Sequence, residues 1–201
     1  RCALVNTVQM YKILALNCLI SAYSLSVMYI MGVKFGDAQA TVSGILLSAC
    51  FLSISRGKPL DKLSKKRPQA GIFNWYIMGS ILSQFAVHCG TLVYLVMEIY
   101  KLEPREPVTD LEKAFEPSLL NTGIFLIQLI QQVSTFYVNY QGEPFRENLR
   151  SNKGMFYGII GVFALAFAGA TEFMPELNEA IKFVPMTEDF KLKLSAVLLL
   201  D

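Results

Sequence analysis

His88 is the single histidine of the 201-residue chain, and no carboxylate or cysteine stands at ligand spacing from it along the sequence. A metal site is therefore not expected there. Cys2, Cys18, Cys50 and Cys89 form no CxxC pair, and three of them lie inside apolar runs, so they read as small buried hydrophobes and not as redox or metal-binding groups. The remaining polar side chains inside apolar runs fall at helical spacing. Asn17, Ser21 and Ser24 make one stripe. Asp37, Thr41, Gly44 and Ser48 make a second, with Gln39, Ser43, Cys50 and Ser53 on another face of the same segment; Ser80, Gln84, His88 and Thr91, then Asn121, Gln128, Gln132 and Thr135, follow. Amides and hydroxyls at this spacing do no acid–base or nucleophilic work. They either hydrogen-bond between helices or line a path for a polar or helical substrate, and in lipid they are expected to turn inward. Asn17, Ser21, Asp37, Gln39, Thr41, Ser43 and Ser48 are the candidate substrate-binding residues; no catalytic or metal-binding residue is expected.

The elements that must position these groups are membrane spans. The chain is 53% hydrophobic and only 17% charged, with a mean hydropathy of +0.42, against about a quarter charged for a soluble domain. Windows 13–33, 38–55, 68–97, 117–142 and 154–171 contain no Asp, Glu, Lys or Arg, and crossing the hydrocarbon core takes about 17–25 residues. The expectation is an all-α polytopic bundle in a single block, with spans near 10–32, 38–55, 72–98, 118–139 and 154–172. A sixth helix begins at 187–201, where Thr187 can cap and Glu188 and Asp189 suit a first turn. In the fifth span Gly154 with Gly158, and Ala164 with Ala168, repeat the small-xxx-small spacing of close helix packing. No expected span has a central charged residue; Asp37 and Glu172 sit at ends. A mid-membrane ion site is accordingly disfavoured. Asp37, at the start of the second span, is expected to cap that helix or meet its dipole, or to form the luminal end of a substrate cavity.

Loop charge sets an orientation. Loops 56–70 and 140–153 carry nine Lys or Arg between them, and the three alternate loops carry five, with many acids. Positive loops stay cytoplasmic, which places the N-terminus there too. The strip 56–69, with six basic residues and only Asp61 opposing them, is thus an orientation signal. It lacks interleaved aromatics and the net charge is only +2, so nucleic-acid binding is disfavoured. The chain starts at Arg1, shows no signal-peptide pattern and stops within the sixth helix, and it reads as an excised membrane block of a larger protein.

Several runs resemble the C-terminal membrane region of the type V-A P-type ATPases, the endoplasmic-reticulum transmembrane helix dislocases, and look closest to fungal members. They are "QMYKILALNCLISAYSLSV", "KFGDAQATVSGILLSACFLSISRGKPLDKLSKKRPQ", "LLNTGIFLIQLIQQVSTF", "NYQGEPFRENLRSNKG" and "FVPMTEDFK". The resemblance implies that the five spans are the fifth to ninth core helices of the pump, that "RCALVNTVQMYK" is a cytoplasmic stalk, and that the intact parent works by ATP-driven alternating access through an aspartyl phosphate. Its ATP and Mg2+ would bind outside this block, because the phosphorylation motif and nucleotide residues are absent here. The implied partners are misinserted or tail-anchored transmembrane helices, the lipid bilayer and the rest of the parent chain, and the implied location is the endoplasmic reticulum membrane. The family's pocket opens sideways to lipid beside the second and fifth spans. Two other readings stay open: a cation-transporting P-type ATPase, and a secondary transporter of a small polar solute, for which no internal repeat is visible.

Overall fold

A computed structural model describes residues 1–62, 64–69, 71–104 and 114–201. Among the described residues seven helices run in order: α1 (Cys2–Ile30), α2 (Asp37–Ser55), α3 (Trp75–Leu102), α4 (Leu119–Asn139), α5 (Lys153–Ala170), α6 (Pro175–Ile181) and α7 (Glu188–Leu200). The first five are long and apolar enough to cross a bilayer.

Helix boundaries follow local chemistry. The side-chain oxygens of Asn74, Ser118 and Asn152 accept from the backbone N–H three residues on, at 2.9, 3.1 and 3.2 Å, and so start α3, α4 and α5. α1 ends where Gly32 takes φ 63 and Val33 N–H returns to Met28 C=O, a left-handed exit that glycine makes without steric cost. α3 starts at Trp75 instead of near 72, leaving Phe73 and Trp75 exposed as interfacial aromatics. It runs on to Leu102, because Glu98 and Lys101 pair one turn apart and extend the helix beyond the charge-free window. α1 extends back to Cys2, so the "RCALVNTVQMYK" segment is one continuous helix with the first span. Short α6, opened by Pro175 at its first turn, was not legible in the apolar pattern.

Two capping expectations hold in part: Asp37 stands in the first turn of α2, where its charge meets the helix dipole, and Thr187 stands at the N-cap of α7. Gly36, not Asp37, is the N-cap of α2; Asp37 is the first helical residue, and the Gln39 side chain reaches back to accept from Gly36 N–H at 3.1 Å. Thr187 occupies the N-cap of α7, but its hydroxyl accepts no capping bond there.

α4 is the axis of the bundle. Every residue from 119 to 136 is buried, and α1, α2, α3, α5 and α7 all pack on it. One apolar core joins α1, α3, α4 and α7 through residues such as Met28, Leu95, Ile127 and Leu194, and another joins α2, α4 and α5 through Ile54, Phe136, Met155 and Ile159. Gly154 and Gly158 face Ser53 and Cys50 of α2, as close packing through small residues requires.

The two basic loops lie at the same end of the bundle and touch. Lys58 N–H donates to Glu147 Oε1 at 2.9 Å, Glu147 N–H donates to Lys58 C=O at 3.0 Å, and Pro59 bridges to Arg146. Arg146 is fully buried there: it donates to Asn6 Oδ1 of α1 at 2.8 Å and to Ile54 C=O of α2 at 3.0 Å, and it stacks on Tyr140. Its charge faces the carbonyl end of α2, where the helix dipole favours a cation. At the opposite end Lys193 bridges Glu98 and Asp189, and Lys191 bridges Glu172 and Glu188. Residues 105–113 of the charged 98–116 loop, and Leu63 and Ala70 of the basic loop, lie outside the described residues.

Candidate functional site

Because α4 is surrounded, its polar side chains must find partners on several neighbours, and each direction around the helix meets a different one. Asn121 and Gln39 exchange side-chain hydrogen bonds at 2.7 and 2.9 Å, and Asn121 also donates to Lys34 C=O at 2.8 Å. Gln132 Oε1 accepts from Ser43 Oγ at 3.1 Å. Thr135 Oγ1 accepts from Asn17 at 3.2 Å, and Asn139 donates to Gln84 at 2.7 Å.

Between α1 and α2, floored by α4, lies a cavity of about 360 Å³. Ser21 and Leu25 line it from α1, Gln39, Ser43, Gly44 and Leu47 from α2, and Phe125, Gln128 and Gln132 from α4. A second hollow of about 660 Å³ continues it along α1 to Ile30, sharing Leu25, Phe35 and Ala40 with the first. The rim residues Leu25, Ala40 and Gly44 are exposed, so the groove opens sideways between α1 and α2. Its lining is apolar with a few amides and hydroxyls, and among the described residues the only charged side chain along it is Lys34 at one end. Gln128 is 8% exposed, and its Oε1 has no hydrogen-bond partner among the described residues. A buried acceptor left open in this way is a place for a ligand's donor.

Seven residues were singled out from spacing, and the structure divides them. Ser21, Gln39 and Ser43 come together in the groove. Asn17 sits deeper, bonded to Thr135. Asp37, Thr41 and Ser48 are exposed and line no part of the groove, although Gly44 of the same stripe stands at its rim. The expectation that both α2 stripes face inward is thus corrected. Among the described residues α2 packs mainly on α4 and α5, with lesser contacts to α1 and α6, and the Gln39–Cys50–Ile54 side faces them. Spacing missed Gln131 and Asn139, whose partners lie on other helices, although their position in the charge-free fourth window marks them as buried amides in need of partners.

No carboxylate stands at ligand spacing from His88 along the sequence, but the fold brings one to it. Asp201, at the end of α7, places its carboxylate 3.0 Å from His88 Nδ1, with Thr91 and Gln131 beside it. The two residues are 113 positions apart, and only the packing of α7 on α3 brings them together.

No protein-family model matches the chain. Over all 201 residues it is 81% identical to the endoplasmic reticulum transmembrane helix translocase of Saccharomyces cerevisiae, of which it covers 16%. The chain belongs to this family of P-type ATPases. The Aspergillus fumigatus translocase is 60% identical over the same 201 residues, 15% of its length, and a protein of Arabidopsis thaliana named a probable manganese-transporting ATPase is 45% identical over 194 residues. The chain thus spans about one sixth of the translocases it matches, and the groove and the His88–Asp201 contact belong to a membrane segment of that ATPase family.

Proposed function

We propose that this chain is a membrane block of an ATP-driven translocase of the endoplasmic reticulum membrane, and that the groove between α1 and α2 receives one flank of a misinserted or tail-anchored transmembrane helix. The full-length identity to the yeast translocase carries the reading. The groove supports it: a helix is about 10–12 Å across, and a lateral, mostly apolar trough with a few amides accepts such a client without demanding a particular sequence. In this reading nine basic residues hold loops 56–70 and 140–153 on the cytoplasmic side. The intact protein would use ATP with Mg2+. Neither fits this chain, which has no glycine-rich phosphate loop and no Asp-Lys-Thr-Gly sequence, so both would bind elsewhere in the parent.

Reconstitution of the intact protein with a fluorescent tail-anchored helix tests this. ATP should drive extraction of the helix, and Gly44→Leu should slow it. A Cβ at Gly44 meets nothing within 4 Å, so the new side chain fills the groove without a clash at its own root. Absence of ATP-dependent extraction, or extraction undiminished by Gly44→Leu, would overturn the assignment.

A further inference from the structure

At the end of the bundle that carries the basic loops, a hollow of about 120 Å³ lies between α1, α3, α4 and the last residues of the 56–70 loop. Gln9 and Lys12 line it from α1, Gln69 from the loop, Tyr76 from α3, and Asn139 and Gln141 from the end of α4 and the turn after it. Lys12 is its only charged side chain among the described residues. The acids of this end, Asp61, Glu143 and Glu147, line no part of it.

Two groups in its wall are left without partners. Gln9 is 3% exposed; its Oε1 accepts from Gln141 N–H at 3.2 Å, while its Nε2 has no hydrogen-bond partner among the described residues. A buried amide donor left open in this way is a place for an acceptor. Lys12 is half-buried and makes no ion pair among the described residues. A cation partly withdrawn from water without a counter-charge is costly, so the cation and the open donor together call for an anion. Gln69 spends its Oε1 on Asn74 at 3.3 Å and keeps its N–H groups as further donors.

The hollow lies at the level of lipid headgroups. Lys12 is the last charged residue before the window 13–33, Tyr76 is the second residue of α3 and Asn139 is the last of α4, so three spans reach the membrane surface here together. Tyr76 is exposed, as are Phe73 and Trp75 next to it in the chain, which suits aromatics at that interface. Lys62, Lys65, Lys66 and Arg67, all exposed, immediately precede Pro68 and Gln69 of the wall. Basic clusters beside the cytoplasmic end of a span draw anionic lipid.

We propose that this hollow is the headgroup site of an anionic phospholipid, whose phosphate sits between Lys12 and the amides of Gln9 and Gln69 and whose glycerol end leaves over the exposed Val138. A water needs only about 10–15 Å³ of such space, so one phosphate group fits. A choline headgroup brings its own cation and cancels the charge that Lys12 lacks, so the site selects lipids of net negative charge. The bound phosphate ties α1 to α3, α4 and the basic loop at once. The proposal shares with the translocase reading only the cytoplasmic side of the 56–70 loop, and neither ATP nor a client helix enters it.

The test titrates the intact protein, purified in a neutral detergent, with dioctanoyl phosphatidic acid, whose headgroup is a bare phosphate, with dioctanoyl phosphatidylcholine and with inorganic phosphate. Binding is read from the thermal midpoint and from native mass spectrometry. Phosphatidic acid should raise the midpoint with concentration and stay bound as a one-lipid adduct, and phosphatidylcholine should do neither at the same concentration. Lys12→Gln should weaken phosphatidic acid binding about tenfold, the loss of one charge-assisted contact, and Lys12→Arg should keep it. An equal response of the wild-type protein to both lipids overturns the proposal and requires no variant to fold. Unchanged binding by Lys12→Gln overturns it as well. Inorganic phosphate acting as strongly as the lipid assigns the hollow to a free anion and rejects the lipid. No response to any of the three means that the hollow holds water or is filled by another part of the parent chain, and the proposal falls. Because ATP and client are both left out, none of these outcomes depends on helix extraction.

Discussion

Gln39 of α2 and Asn121 of α4 satisfy one another through two side-chain hydrogen bonds, both residues being fully buried although 82 positions separate them. Gln39 uses the same amide to hold Gly36 N–H at the helix start and to reach Ile181 C=O at the end of α6. One side chain thus ties together α2, α4 and the end of α6.

Removal of either partner strands the other. Gln39→Leu in the intact protein should cost about 1–3 kcal/mol, read as a lower thermal midpoint in detergent. Gln39→Leu combined with Asn121→Leu should cost less than the two single losses together. Simple additivity would show that the amide pair contributes no coupling.

Gly57 offers a second stability test. A Cβ there would fall 1.8 Å from Arg146 Nη2, and the guanidinium cannot retreat without losing Asn6 and Ile54 C=O. Gly57→Ala should destabilise the protein by about 1–3 kcal/mol, the range for a buried hydrogen-bonding group left unpaired. Arg146→Ala is destabilising on its own, but with Arg146 already gone, adding Gly57→Ala should cost almost nothing. An equal cost in both backgrounds would place the clash elsewhere.

Sidedness can be read chemically. Ser64→Cys in an otherwise cysteine-free version of the intact protein should react with a membrane-impermeant thiol reagent added from the cytoplasm and be protected from the lumen. Labelling from the lumen alone would invert the orientation.

Asp37 is exposed and lies off the groove. Asp37→Asn should therefore leave extraction of clients with basic luminal flanks and of clients with neutral flanks equally intact, measured side by side in vesicles. A selective loss for the basic-flanked set would return Asp37 to the client path.

What the sequence by itself determined is whatever depends on one segment at a time. Five charge-free windows predict five long helices because hydropathy and length are local properties, and Asn74, Ser118 and Asn152 start helices through bonds three residues away. Loop charge and alternation predict a shared end for the two basic loops, which meet through Lys58 and Glu147, and Gly154 with Gly158 marks the packing face of α5. Helical periodicity also separates the two stripes of α2, yet it cannot say which of them a neighbour will cover. That was decided by α4, whose complete burial turned Gln39 and Ser43 inward and left Asp37, Thr41 and Ser48 outside. The contact between His88 and Asp201 and the burial of Arg146 likewise arise between helices distant in the chain. Each such pairing depends on how several surfaces fit at once, and a buried polar group takes whichever partner that fit delivers.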